Sequence, residues 1–143
     1  MLYLHEPHAF NPRMNVVGCY LEYEGNILLL QIAEGKEYAG HWGVPAGKQE
    51  KGELPDEGVL REIQEETGLK LQDIAPGEEL YVRLNSGDFR YTLFRQSLTE
   101  RPEITLIPRE HQAFCWVTPQ EALNLPLLPD EDACLRYFYP HVQ

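Results

Sequence analysis

A single mixed domain of the α/β (α+β) class is predicted, and three observations carry that expectation. The length, 143 residues, suits one domain. Two pairs of short apolar runs flank turns containing Gly and Asn, as in β-hairpins. One segment, 55–67, carries a start signal, a stop signal and a helical period. No repeat, low-complexity stretch or linker divides the chain, so one domain over 1–143 is expected. With 43% hydrophobic and 24% charged residues, the composition is that of an ordinary globule and not of a disordered tail.

Taken in order, residues 16–21 and 27–32 read as strands around Glu24-Gly25-Asn26, where Gly and Asn tolerate positive φ. Residues 34–41, with Gly35 and Gly40, read as loop, and 42–47 as a short extended piece limited by its glycines and Pro45. A helix is predicted over 55–67: Pro55 stands at the first helical position, Asp56 and Glu57 in the first turn, and Gly68 just past the end. Gly58 inside it costs about 1 kcal/mol relative to Ala, so packing must compensate. Residues 80–84 and 89–98 read as strands around Asn85-Ser86-Gly87-Asp88, and 114–117 as a further strand. Thr118-Pro119-Gln120-Glu121 has the spacing of a capping box, and a last helix is predicted over 130–139.

Lys and Arg number 12 against 23 Asp and Glu, a net charge of -11, which disfavours long nucleic acids and anionic membrane surfaces as partners. Cys19, Cys115 and Cys134 form no CxxC pair and fit reduced thiols in a cytoplasmic setting. Residues 1–10 show neither a basic n-region nor an apolar h-region, so no leader is expected. The longest apolar run, 27–30, is far short of the roughly 20 residues that span a bilayer.

The acid excess is concentrated. Residues 47–69 hold seven carboxylates against Lys48, Lys51 and Arg61. At about 100° per residue, Val59, Leu60, Ile63 and Thr67 define a core stripe, and Glu62, Glu65 and Glu66 share a face about 100° wide beside it. Like charges at i, i+3 and i, i+4 repel by a few tenths of a kcal/mol on a bare helix. Hard oxygens gathered in this way suit Mg²⁺ or Mn²⁺; the plain alternative is a solvated acidic face.

The surrounding spacing favours the cation. Residues 47–69 read Gly47, five residues, Glu53, seven residues, Arg61-Glu62-Ile63, Gln64, Glu65-Glu66, Thr67, Gly68-Leu69. This resembles, at every fixed position, the signature of the MutT-like Nudix hydrolases, which cleave nucleoside diphosphates linked to another moiety. Chance coincidence is on the order of 10⁻¹⁰ per window. The hairpin at 25–30, Trp42 and Pro45 before the signature, and Glu110-His111 ahead of Trp116-Val117 extend the resemblance over roughly 15–138. Ala46, Gly58-Val59 and Ile32 depart from it without removing a carboxylate.

The resemblance implies the Nudix fold, a mixed β-sheet between helices, and a Mg²⁺-dependent pyrophosphohydrolase, with Mn²⁺ as an alternative ion. It implies Glu62, Glu65 and Glu66 as metal ligands, with Gly47 turning the backbone toward the ion and the Ala46 carbonyl as an added oxygen. Glu53 would reach back to the site and orient a water or a ligand. Arg61 would pair with an acid and fix its rotamer; the bland reading is an exposed Arg. The base would be a carboxylate of the signature, Glu65 among the catalytic set, or Glu110 outside it. Trp42 fits the core or the border of the substrate pocket; Tyr20, Phe89, Tyr91 and Phe94 fit the core, with a base-stacking role for one or two as the alternative, and no His has metal-ligand spacing.

By the resemblance, the roughly fourteen residues before the first strand leave little room for the extra N-terminal domain common in the ADP-ribose-cleaving branch, which implies a small (d)NTP-like nucleotide, a pterin triphosphate included, as the expected substrate. ADP-ribose, nucleotide sugars and dinucleoside polyphosphates are the alternatives in the same class. A catalytically silent nucleotide-binding module is the alternative in another, and a homodimer is compatible with either.

Overall fold

A computed structural model describes residues 1–143. Along the chain run β1 (Leu2–Tyr3), β2 (Pro12–Tyr23), β3 (Asn26–Ile32), β4 (Trp42–Gly43), β5 (Ala46–Lys48), α1 (Pro55–Thr67), β6 (Glu78–Leu84), β7 (Gly87–Ser97), β8 (His111–Val117), α2 (Pro119–Ala122) and α3 (Glu131–Phe138). The strands form one eight-stranded mixed sheet in the order β1-β6-β7-β2-β3-β4, with β5 paired to β2 and β8 to β3. Only β2 and β7 run parallel; the other pairs are antiparallel.

Side-chain alternation along the central strands builds two cores. Val17, Cys19 and Leu21 of β2 and Leu28 and Leu30 of β3 face α1, packing on Val59 and Ile63. Tyr20 of β2 and Ile27 and Leu29 of β3 face the other way, toward Ala122, Cys134, Leu135 and Tyr139. The sheet therefore lies between α1 on one face and α2 and α3 on the other. Tyr91 and Phe94, on β7, go to opposite cores.

Helix α1 keeps the bounds read from the sequence. Gly68 ends it in the left-handed region at φ 78°, its N–H donating to Gln64 O. The N-cap, Leu54, has no side-chain oxygen to offer, so half of a capping box remains: the Glu57 carboxylate accepts the Leu54 N–H at 2.8 Å. At α2 the box is complete, with Glu121 N–H on Thr118 Oγ1 at 3.1 Å and Thr118 N–H on Glu121 Oε1 at 2.9 Å.

Turn chemistry differs from expectation. In the first hairpin Tyr23 pairs with Asn26, so Glu24 (φ 48°) and Gly25 (φ 80°) take the positive φ values and Asn26 is already strand. A two-residue turn of this handedness needs both central residues there, and the Tyr23–Asn26 register leaves Glu24 to supply one of them. In the second hairpin Leu84 pairs with Gly87, leaving a two-residue turn. The extended piece at 42–47 is two strands, because Pro45 has no N–H to continue a ladder. The last helix starts at Glu131, since Asp130 stands at φ 64°. No helix is long and apolar enough to cross a membrane.

Glu131 is 5% exposed beneath the α3 side of the sheet and accepts the Tyr20 hydroxyl at 3.0 Å. Burial raises its pKa to about 7, against a smaller lowering by the Tyr20 bond. A raised carboxyl pKa adds stability that is full below the unfolded value and lost as pH rises through about 7. Thermal melts of Glu131→Gln are therefore expected to show a shallower decline than the native chain between pH 5 and 8, the two curves differing by about 2–3 kcal/mol at the upper end. Parallel curves would remove Glu131 as a source of the pH dependence.

Candidate active site

Arg61 organises the acidic end of α1. Its Nε and Nη2 donate to both oxygens of Glu53 at 2.7 and 3.0 Å, a bidentate fork. Nη1 reaches Glu62 at 2.9 Å and Glu65 at 3.2 Å, and Nη2 also donates to Lys48 O at 3.0 Å. Glu50 stands 3.6 Å from Nε. The Glu53 bonds lower the Glu53 pKa and raise that of Arg61 above its already high value. Helical spacing brings Glu62 and Glu65 to Arg61; Glu53 arrives from the preceding loop, where Gly58 leaves room for it. A Cβ at Gly58 would stand 3.0 Å from Glu53 Oε1, which is the packing that offsets its helix cost.

Gly47 serves the site by its missing side chain and not by turning the backbone, because its φ is not positive. A Cβ there would overlap the Glu62 carboxylate. Gly47→Ala should therefore push Glu62 out of place and cut turnover about 10²-fold with little change in melting temperature, as expected when a reacting geometry is displaced by about 1 Å. Kinetics on the folded variant check this, and normal turnover would dissociate Gly47 from the site.

Glu66 is held differently. Its Oε1 accepts the Ala46 N–H at 2.7 Å, so Ala46 contributes its N–H to the site. Its Oε2 has no hydrogen bond, with His111 Nε2 4.0 Å away. Burial raises its pKa to about 8, the Ala46 bond opposes this, and Glu62, Glu110 and Glu65 add to the rise. Glu62 is raised by burial as well, in spite of Arg61. Glu110 lies at the rim, where Lys36 Nζ bonds its Oε2 at 2.5 Å and lowers its pKa. Glu62, Glu65, Glu66 and Glu110 line one cleft of about 350 Å³ with Ile107 and Arg109.

These residues suit a divalent cation in chemistry: hard carboxylate oxygens, an unbonded Glu66 oxygen, and a Gly47 cradle against Glu62. They do not yet close on a single point. Arg61 draws Glu62 and Glu65 to itself, at 2.9 and 3.2 Å, while Glu66 turns to the Ala46 N–H. Lys36 was not among the residues singled out from the sequence, and His111 was named there only as part of the resemblance, with no role at the site. Lys36 is 74 residues from Glu110, and no local pattern signals such a pairing.

A family model described as the NUDIX domain matches residues 12–142. The chain belongs to the Nudix family. This Nudix chain is 32% identical over 127 residues to the CTP pyrophosphohydrolase of Escherichia coli K12, covering 87% of this chain and 90% of that one. It is 31% identical over 126 residues to a MutT-like protein of Streptomyces ambofaciens, covering 85% and 76%. Among solved structures, the E. coli ORF135 protein superposes with a TM-score of 0.73 at 26% identity, covering 89% of each chain. The chain is thus a hydrolase acting on pyrophosphate bonds, of a family that binds small nucleotides and generally uses divalent metal ions.

Proposed function

We propose that this Nudix hydrolase is a Mg²⁺-dependent pyrophosphohydrolase of nucleoside triphosphates or closely similar small nucleotides. The observation that carries the reading is the single cleft lined by Glu62, Glu65, Glu66 and Glu110. The CTP-cleaving relative supports a triphosphate over a diester-capped diphosphate. In this reading Glu62, Glu65 and Glu66 hold the ion, with Mn²⁺ as a substitute. The bound ion supplies charge screening for the diphosphate and lowers the pKa of water. Glu53 and Arg61 fix the rotamers of Glu62 and Glu65, and Glu65 or Glu110 takes the proton of the water that attacks phosphorus. Three cysteines free of disulfides suit a reducing, cytoplasmic setting.

A mass-resolved screen of nucleoside triphosphates, ADP-ribose, nucleotide sugars and diadenosine polyphosphates, with and without Mg²⁺, tests this. Cleavage of a triphosphate to monophosphate and pyrophosphate is expected. Cleavage of none of them would favour a binding module. Glu110→Gln is expected to lower kcat about 10²-fold if Glu110 is the base. A loss below about threefold would assign the proton to the signature carboxylates.

A further inference from the structure

Two cations at the mouth of the cleft, Lys36 and Arg109, hold none of the carboxylates Glu62, Glu65 and Glu66. Arg61 is saturated by carboxylates and Lys48 O. Arg109 lines the cleft beside Glu110 and makes no hydrogen bond or ion pair. Lys36 is committed only to Glu110, and both side chains are close to half exposed, at 42% and 41%. Such an exposed pair is weak and easily exchanged. Its backbone is not: Ala33 N–H bonds Glu110 O and Glu34 N–H bonds Gln112 Oε1, each at 3.0 Å, fixing the loop that carries Lys36 at the rim.

We propose that Lys36 and Arg109 together hold the terminal phosphate of a nucleoside triphosphate, and that Lys36 does so by leaving Glu110. This rests on the hydrolase reading of the cleft given above. A terminal phosphate carries close to two negative charges at neutral pH, its second pKa being about 6. It outcompetes a singly charged, solvated carboxylate for an ammonium, and the Arg fork matches its oxygens. A diphosphate esterified at both ends offers one charge per phosphate and no terminal oxygen set, so it gains less from the pair. The exchange also frees the Glu110 carboxylate only once substrate is seated. The residue able to take a proton is thereby linked to occupancy of the cleft.

The test compares binding by calorimetry of an α,β-methylene nucleoside triphosphate and of ADP-ribose, with Mg²⁺ and without it. Lys36→Met and Arg109→Met are each expected to weaken the triphosphate analogue about tenfold and ADP-ribose less than twofold. Lys36→Arg should recover most of the loss, and Arg136→Met, on α3 across the sheet, should change neither ligand. In turnover, Lys36→Met should raise KM while kcat holds or rises. Equal weakening of both ligands, no weakening of either, no binding of the analogue by the unaltered chain, or a fall in kcat at constant KM would overturn the proposal. Failure of the hydrolase reading shows separately, as an unaltered chain that binds the analogue and cleaves no triphosphate.

Discussion

Glu66→Gln is expected to fold normally and to lose at least about 10³-fold in turnover, some 4 kcal/mol of barrier. An amide keeps the size of the side chain and still accepts the Ala46 N–H through its carbonyl oxygen. It carries no charge, however, and cannot offer a cation the anionic, unbonded Oε2 that Glu66 presents at the cleft. Burial and its acidic neighbours have raised its pKa to about 8. Its neutral form therefore contributes stability that is full below the unfolded value and lost as pH rises through about 8. The variant should melt no lower than the native chain at pH 5 and higher at pH 9. Added Mg²⁺ should raise the native melting temperature and leave that of the variant nearly unchanged, since only a state-selective ligand shifts folding. Native turnover by Glu66→Gln would remove Glu66 from the chemistry.

Arg61→Met should have the second-largest effect, and on two observables at once. The Glu53 and Glu62 side chains are 14% and 12% exposed, and Arg61 is the cation that compensates both. Removing one partner of a fully buried pair costs about 3–5 kcal/mol, and the partial exposure of Arg61 and Glu53 lowers this case to about 1–3. Mg²⁺ should return part of that stability by taking over the neutralisation. Activity should not return, because an ion cannot restore the two-pronged hold on Glu53. Arg61→Lys retains the charge and loses the fork, so it should recover stability in part and activity little. Urea unfolding with and without Mg²⁺, beside single-turnover rates, checks this; an unchanged unfolding midpoint in Arg61→Met would refute it.

The helix bearing the acids was legible to the residue because local chemistry sets both of its ends: Pro55 can only begin a helix, and Gly68 adopts the left-handed cap at low cost. Its periodicity placed Glu62, Glu65 and Glu66 together for the same reason. Strands β1, β4 and β5 were not legible as strands, since two or three residues carry no period and are defined by their partners. Glu24 was misjudged because hairpin register, a tertiary property, assigned it a conformation its side chain disfavours. Within the site, Arg61 was seen to have an acid partner, but not that it would gather Glu53, Glu62 and Glu65 at once, for loop closure between 48 and 54 decides that. The Lys36–Glu110 contact joins segments that share no sequence pattern, whereas the signature brought Ala46 and Glu66 to one site without showing that the Ala46 N–H would hold the carboxylate.

The short strand β5 touches the site through its main chain alone: Ala46 N–H to Glu66 and Lys48 O to Arg61. Pairing of Val16 with Lys48 and of Gly18 with Ala46 sets where those atoms stand. Replacing the side chain at 46 or 48 leaves both bonds available, whereas Gly47 between them tolerates no side chain against Glu62. Tolerance should therefore be confined to small side chains at 46, which packs on the core, absent at 47 and broad at the exposed 48. The Ala at 46, a departure from the expected signature, falls where one small side chain can replace another without altering what the polypeptide presents to the acids.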